Sequence, residues 1–325
     1  MQILQSARPT IGYRAFPQAV FMVLPENFSL SAESATDNVY MAVSAAVPAG
    51  STSAANTELA LRQSLNLARA LKAAGIPLVL FPGDKATPDA VFPNNAFSSA
   101  EAPNPEAKEA KNADANPARG RYFTGVMRHP SRQRETERPD IHHFFSHILG
   151  YEYADFSAAL VDTETAELTG SLVIDRARNI GFCGLSQRCS DAGARAMHAA
   201  FGLNKTYVFE LSASEYHTNV VLSALGGRGI VIARSGFADP SDADTIAALY
   251  PGQCVDLSVE EKDNFAANCI ALRTDQLWMS ARAKQNLRAN TMNSLEGLGF
   301  GIYSTDLSEL EKAGGSLRCM VGEVY

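Results

Sequence analysis

Thr169-Gly170-Ser171-Leu172-Val173-Ile174 is a polar corner leading into an apolar run, and the same pattern returns along the chain. His217-Thr218-Asn219 leads into Val220-Val221-Leu222, Ala266-Ala267-Asn268 into Cys269-Ile270-Ala271-Leu272, and Gly314-Gly315-Ser316 into Leu317. The third members stand at 171, 219, 268 and 316, so the steps are 48, 49 and 48 residues. A fifth copy, Pro93-Asn94-Asn95-Ala96-Phe97, has its third member 76 residues before Ser171, and a low-complexity tract between them accounts for much of the extra length. A period of this size marks one supersecondary unit repeated about an axis or along a solenoid. In a closed ring the equivalent polar strand ends would converge at the centre, which is where chemistry is expected.

The chain has 325 residues, 46% hydrophobic and 19% charged, a balance that suits a soluble globular protein with a large core. The repeat runs through most of this length, so a single domain over residues 1–325 is expected. The net charge is −7 and no Lys/Arg cluster is dense enough to track a polyphosphate, which argues against nucleic acid and anionic membranes as partners. Five Cys residues, an odd number in a long chain, make no disulfide framework. Met1-Gln2-Ile3-Leu4-Gln5-Ser6-Ala7-Arg8 lacks the basic region and apolar stretch of a signal peptide. No run approaches the roughly 20 apolar residues of a membrane span. A cytoplasmic protein is expected, and a homo-oligomer is compatible with all of this.

Glu101 to Gly120 is rich in Ala, Asn, Pro and Lys without an apolar period, and reads as a mobile surface insertion within a hairpin. Short apolar runs bounded by turn residues predict buried strands at Ala19–Leu24, Pro77–Phe81, Leu172–Ile174, Tyr207–Phe209, Val220–Ala224 and Gly229–Ala233. Arg176-Ala177-Arg178-Asn179 and Leu225-Gly226-Gly227-Arg228 predict hairpin turns. Asn56 to Ala74 predicts an amphipathic helix with Leu59, Leu61, Leu65, Leu67 and Leu71 on its apolar face. Ser190–Phe201, Ser241–Leu249 and Ala281–Leu295 read similarly. The recurring order is strand, polar corner, hairpin, helix, strand, which predicts a ring of small mixed sheets with helices outside. An ordinary doubly wound α/β sheet is the alternative.

One thiol and one imidazole stand out by position. Cys319 lies in Gly314-Gly315-Ser316-Leu317-Arg318-Cys319-Met320, a glycine corner read as entering the last strand, and His217 lies at the corner of another repeat. Such a pair can do nucleophilic catalysis, the thiolate attacking an electrophilic carbon while imidazole moves protons. Arg318 could help ionise the thiol, although neighbours in a strand point to opposite faces. Cys319 falls three residues after Ser316, off the position the repeat favours, so its inward direction does not follow from spacing. A single Cys is more often a small buried hydrophobe, the reading adopted for Cys183, Cys189, Cys254 and Cys269.

His142, His143 and His147 have the i, i+4 spacing of a helical metal site, but no Glu, Cys or fourth His matches it. A solvated or satisfied helix face is expected there, with no metal. His198 reads as structural, and His129 is ambiguous. Asp89 and Glu167 each precede a polar corner, where an acidic residue is usually a turn former or a cap. Together with Asn94, Asn95 and Asn219 they would build a cavity rich in planar donors and acceptors, suited to a flat polar head such as guanidinium or urea.

Five segments carry a resemblance: Met22-Val-Leu-Pro-Glu-Asn-Phe28 with Asn38, Pro88-Asp-Ala-Val-Phe-Pro-Asn-Asn95, Gly184-Leu-Ser-Gln-Arg188, Tyr216-His-Thr-Asn-Val220, and Gly314-Gly-Ser-Leu-Arg-Cys-Met320. In this order the chain resembles the guanidino-group-modifying superfamily, which includes arginine deiminase, dimethylarginine hydrolase and the arginine and citrulline dihydrolases. It is most similar to the bacterial branch described as amidinotransferase-like or citrulline hydrolase-like. The resemblance implies a pentein fold, a five-bladed pseudo-symmetric α/β propeller of ββαβ units around a central pocket. It implies Cys319 as nucleophile, His217 as general acid/base and Glu167 as the carboxylate gripping guanidinium nitrogens. Asp89, Asn95 and Asn219 match head-group positions, Arg128 and Arg188 match positions that pair with a substrate α-carboxylate, and Phe92 would line the pocket.

Two departures matter. The acidic corner of such proteins is commonly Glu-Gly, whereas Leu168 follows Glu167, and a branched side chain takes positive φ only at a cost. The turn is therefore expected to differ there, which weakens the expectation for Glu167. Deiminases often carry an acidic pair where this chain has Asn94-Asn95. A carboxylate only accepts and suits a cationic guanidinium, whereas an amide also donates and can hold a neutral ureido oxygen. The expected activity is cysteine-dependent hydrolysis of a C–N bond in arginine, methylarginine or citrulline through a thiouronium-type adduct, with no cofactor. Amidino transfer to an amine is the nearest rival, and a propeller that only binds is the rival from another class.

Overall fold

The computed structural model describes residues 1–7, 13–44, 56–102 and 119–325. The insertion expected about residues 101–120 lies, from 103 to 118, outside the described residues. In chain order the strands are β1 (Gln2–Gln5), β2 (Ala19–Val23), β3 (Leu78–Phe81), β4 (Phe97–Glu101), β5 (Gly120–Thr124) and β6 (Glu152–Tyr153). There follow β7 (Leu172–Asp175), β8 (Ile180–Leu185), β9 (Lys205–Glu210), β10 (Leu222–Ala224) and β11 (Ile230–Ile232). The last are β12 (Cys254–Asp256), β13 (Ile270–Arg273), β14 (Gln276–Ser280), β15 (Gly301–Thr305) and β16 (Gly322–Val324).

Among the described residues these strands form five separate small sheets, ordered β16-β2-β3, β4-β5-β6, β1-β9-β8-β7, β10-β11-β12 and β13-β14-β15. Each sheet contains one parallel pair and one antiparallel pair, and the four-stranded sheet has a second antiparallel pair in β1–β9. A parallel pair needs a crossover, and a helical segment supplies it each time. The result is a mixed α/β fold, and the doubly wound alternative is set aside because no continuous parallel sheet joins the units. Strand β16 pairs antiparallel with β2, whereas β1 adds antiparallel to β9 at the edge of the four-stranded sheet. No described helix is long and apolar enough to cross a membrane.

Local chemistry explains most element boundaries. Gly226 and Gly227 both take positive φ in the β10–β11 turn, which tight hairpins require. Asn56 caps the helix Thr57–Ala73 by accepting from the Leu59 N–H at 2.9 Å. Its buried face, however, is Ala60, Gln63, Ser64, Leu67, Ala68 and Leu71, while Leu59, Leu61 and Leu65 are only half-buried. Gln63 turns inward because its amide bonds Asp306, Ser308 and the Glu309 N–H. Ser190 caps Asp191–Phe201, and Asp239 caps Pro240–Ala247.

The single helix expected over Ala281–Leu295 is instead two, Ala281–Gln285 and Ala289–Gly297. Asn286 bonds its side chain back to the Arg282 carbonyl, and the Arg288 N–H and guanidinium are both drawn to Glu261, so the helix breaks between them. Val220 belongs to a corner rather than to β10, and Cys319 sits in a helical turn before β16 rather than in the strand.

The corners themselves are short helical turns: Pro93–Asn95, Leu168–Ser171, Thr218–Val220 and Leu317–Met320. They are linked in chain order by hydrogen bonds. Thr169 Oγ1 donates to the Asn94 carbonyl at 2.8 Å, Asn219 Nδ2 to the Thr169 carbonyl at 3.3 Å, and Asn268 Nδ2 to the Asn219 carbonyl at 2.9 Å. The Cys319 N–H reaches Asn268 Oδ1 at 3.4 Å, and the Leu317–Met320 turn packs on Pro93–Asn95. A buried carbonyl left without its donor costs about 1–3 kcal/mol. Thr169→Val, which keeps the shape and removes the hydroxyl, is expected to lower unfolding free energy by about that amount. Urea denaturation of both proteins measures it, and equal midpoints and slopes would show that this link contributes nothing.

Candidate active site

Six of the sequence-derived residues line one pocket: Asp89, Phe92, Asn95, Arg188, His217 and Cys319. Cys319 is brought there by the Leu317–Met320 turn, which points the thiol where spacing alone had left its direction open. Its Sγ accepts from Asn268 Nδ2 at 3.2 Å and lies 3.7 Å from Asn219 Nδ2. Burial pushes the thiol pKa above its ordinary value, against the pull of the Asn268 hydrogen bond, the Ser316 backbone and the Arg318 charge. Arg318 itself pairs with Glu323 at 2.6 Å.

His217 precedes the Thr218–Val220 turn in an extended conformation. Its Nε2 is 2.8 Å from Glu167 Oε2. An ionised carboxylate only accepts, so Nε2 carries the proton and the neutral ring keeps its lone pair on Nδ1. That side of the ring lies against Gly170, where an added Cβ would stand 2.8 Å from Cε1 and 2.9 Å from Nδ1. The absence of a side chain at Gly170 therefore makes room for the imidazole. Burial lowers the His217 pKa below its usual value, with Glu167 resisting.

Glu167 is fully buried and accepts from four groups. Besides His217, these are Asn95 Nδ2 at 3.2 Å, the Arg128 N–H at 3.1 Å and Arg188 Nη1 at 3.3 and 3.4 Å. Burial alone would raise its pKa, but Arg188, His217 and Arg132 hold the carboxyl well below the usual carboxylate range. At the corner Leu168 itself adopts φ +30°, with its side chain fully buried. The chain tolerates a branched residue in an unfavourable conformation because its side chain fills a core cluster with Leu172, Cys183 and Phe201.

The remaining candidates separate. Asp89 accepts from Ser34 Oγ at 2.7 Å, and Asn219 touches the thiol from behind. Asn94 is buried but does not line the pocket, and its amide has no hydrogen-bond partner among the described residues. Arg128 stands outside the lining with its side chain 39% exposed, paired through Nε with Asp37 at 2.9 Å. Of the histidines, His198 bonds Thr206 Oγ1 at 2.8 Å, His142 bonds Tyr122 and the Thr136 carbonyl, and His143 stacks on His147. His129 pairs with Asp37 at 3.2 Å. Among the described residues no group of three or more His, Cys, Asp or Glu is placed to hold a metal ion.

Several pocket residues had escaped notice. Arg132 Nη2 donates to Asn95 Oδ1 at 2.8 Å, the Phe92 carbonyl at 3.0 Å and Glu135 Oε2 at 2.8 Å. It thereby turns the Asn95 amide so that its NH2 faces Glu167. Burial pushes the Glu135 carboxyl up to about 8 despite Arg132, with Asp89 and Glu167 adding repulsion. Ser34 and Asn38 form one wall, and Tyr216 another, its hydroxyl donating to the Gly314 carbonyl at 2.5 Å. Asn268 had a signal as the third member of its corner, and Asn38 and Tyr216 lay inside the matched segments. Ser34, Asp37 and Arg132 had no periodic or motif signal.

Two outcomes are expected. Leu168→Gly relieves roughly 1–2 kcal/mol of backbone strain but empties a core position worth about 3–5 kcal/mol, so the protein loses about 1–4 kcal/mol in urea unfolding. A gain would show that strain outweighs burial. Because burial raises the thiol pKa, alkylation of Cys319 by iodoacetamide in the free protein is expected to be slow at pH 7 and to climb only above pH ~9. A midpoint below pH ~8 would show a thiolate formed in advance.

The family model described as N,N dimethylarginine dimethylhydrolase, eukaryotic, matches residues 24–325. No curated protein matches the chain. Among solved structures, the substrate-bound N-terminal domain of a mutant of ArgZ, an arginine dihydrolase from the ornithine-ammonia cycle in cyanobacteria, superposes with a TM-score of 0.75 at 19% identity. That match covers 94% of this chain and 97% of the other. AgrE in ternary complex with ornithine and NAD+ gives 0.74 at 20% identity, over 94% of this chain and 39% of the other. A dimethylarginine dimethylaminohydrolase adduct with S-methyl-L-thiocitrulline gives 0.65 at 19% identity, over 95% and 99%. At such identities the structural likeness speaks for the fold, and the family model speaks for the lineage. The chain belongs to the N,N dimethylarginine dimethylhydrolase (eukaryotic) family, within the guanidino-group-modifying superfamily.

Proposed function

We propose that this protein is a cysteine-dependent hydrolase that cleaves a C–N bond of a guanidino or ureido amino acid: arginine, methylarginine or citrulline. The observation that carries the reading is the meeting of Cys319 and His217 in one pocket, with buried Glu167 behind the imidazole. The family match and the likeness to an arginine dihydrolase and a dimethylarginine dimethylaminohydrolase support it. The five ββαβ units and their linked corners support a single five-bladed propeller over residues 1–325.

In this mechanism the substrate head lies flat between Asp89, Asn95 and Phe92, with its central carbon toward Cys319. The thiol passes its proton to His217 Nδ1 as its sulfur attacks that carbon, and the C–N bond breaks as His217 gives that proton to the leaving amine. The thiouronium-type adduct is then attacked by water, whose proton His217 Nδ1 takes, and the C–S bond breaks as His217 returns that proton to the sulfur, restoring the thiol. Glu167 fixes the tautomer and steadies the imidazolium. A thiol held neutral by burial is ionised most readily when a cationic guanidinium sits beside it, which favours a cationic head for the first step. Asn95 both donates and accepts, so the same site can hold the neutral ureido group that such a first step leaves. Arginine carried through citrulline to ornithine is therefore within its chemistry.

Purified protein is expected to release ammonia or methylamine, with citrulline or ornithine, from at least one of arginine, methylated arginine and citrulline. Cys319→Ser is expected to lower kcat about a thousandfold or more, and His217→Ala about a hundredfold or more. Full turnover by Cys319→Ser would refute the mechanism. Loss of arginine that requires an added amine and releases no ammonia would point to transfer instead.

A further inference from the structure

The Asn268 amide nitrogen carries two hydrogens. One serves the Asn219 main-chain carbonyl at 2.9 Å, with Asn219 Oδ1 beside it at 3.4 Å, and the other faces the Cys319 sulfur at 3.2 Å. A carbonyl only accepts, so the amide cannot be reversed, and an N–H is aimed at Sγ of necessity. Asn268 Oδ1 takes the Cys319 N–H at 3.4 Å, which the Ser316 carbonyl shares at 3.0 Å, and the Asn268 main-chain carbonyl takes the Arg318 N–H at 3.4 Å. Asn268 therefore grips the Leu317–Met320 turn through three polar atoms. It is fully buried and lies outside the pocket lining, where substrate does not displace it.

The corner that carries Asn268 is itself under strain. Phe265 accepts the Asn268 N–H at 2.9 Å and takes φ +64°, a conformation costly to any residue but glycine. Burial, the Tyr40 ring at 5.1 Å and the Arg282 guanidinium at 5.5 Å hold its ring there. Among the described residues the other side-chain polar contacts of the sulfur are longer, 3.7 and 3.8 Å to Asn219. Of the titratable groups lining the pocket with it, Asp89, Arg132, Arg188, Tyr216 and His217, none is hydrogen-bonded to the sulfur. Arg318, next in the chain, is spent on Glu323.

We propose that Asn268 is a further catalytic residue, a fixed amide donor that holds the Cys319 sulfur and stabilises the negative charge it carries whenever it is bound neither to hydrogen nor to carbon. This rests on the proposed hydrolase reading, in which that sulfur is the nucleophile. Charge rises on Sγ twice: when its proton passes to His217 Nδ1 and the electron pair left behind forms the C–S bond, and when that bond breaks and returns its pair to sulfur. An N–H aimed at sulfur gains little from a neutral thiol and much from a thiolate. Burial raises the thiol pKa, and the Asn268 hydrogen bond leads the groups that oppose it, ahead of the Ser316 backbone, Arg318 and Asn219.

The test follows iodoacetamide alkylation of the Cys319 peptide by mass spectrometry across about pH 7–10.5, beside kcat and KM for the best guanidino or ureido amino acid. Asn268→Leu keeps the volume and removes the donor. Its alkylation midpoint should move upward, with a rate about tenfold lower at any pH below the midpoint, while kcat falls about tenfold or more and KM stays within about threefold. Asn268→Ser retains a hydroxyl donor and should restore part of both losses. Near-UV circular dichroism checks the fold of each variant, and Asn268→Ala carries the same expectation as Asn268→Leu if the latter does not fold.

A residue that only supports the turn would lower stability or change access to the thiol, altering the alkylation plateau and leaving the midpoint in place; that result overturns the proposal. A raised KM with kcat unchanged overturns it too. The thiol titration needs no turnover, so the two readings fail separately. Full activity in Cys319→Ser sinks the parent reading, whereas Cys319-dependent turnover with an unmoved midpoint in the donor-less variants sinks this one alone.

Discussion

The site is organised by one buried anion. Glu167 has no solvent exposure, and an isolated carboxylate in that position would neutralise itself or destabilise the fold. It stays charged because donors from separate parts of the chain converge on it: an imidazole, a side-chain amide, a backbone N–H and a guanidinium. Each donor is oriented in turn by giving to an acceptor that cannot give back. His217 must present Nε2–H, so Nδ1 becomes the free basic nitrogen. Asn95 must present its NH2, so its carbonyl faces Arg132. Arg188 must turn Nη1 inward, so its other nitrogens fall to Asp37. The orientation of several catalytic candidates thus follows from the charge of a single side chain.

Leu168 shows what that placement demands. The corner that positions Glu167 needs a residue at positive φ, and the sequence offers a leucine where glycine would bear the conformation freely. The fold bears the leucine there because its side chain recovers more in the core than its backbone loses, an exchange invisible until the neighbouring helix and strands are in place.

The same limit explains what was legible in the sequence. The steps of 48 and 49 residues marked the corners, and every corner they marked takes part in the chain of contacts about the pocket. Polar residues at equivalent ends of equivalent units have nowhere else to meet. Residues that enter from outside the repeat left no such trace. Ser34 and Asp37 lie on an irregular stretch whose neighbours Ala32, Glu33, Ala35 and Thr36 are exposed, and their importance comes from contacts 50 to 150 positions away. Arg132 follows Arg128 by four positions, yet only one of the two is buried. The helix predicted over Ala281–Leu295 failed for a related reason: its break is set by Glu261, from a different unit.

The pairing of Glu101 with Gly120 closes the β4–β5 ladder at the end opposite the Pro93–Asn95 corner. The ladder runs through five residue pairs to Phe97 and Thr124, so the register of the strand that follows the pocket corner is set within the described strands themselves. Position at the reacting centre is thus inherited from backbone pairing several residues away.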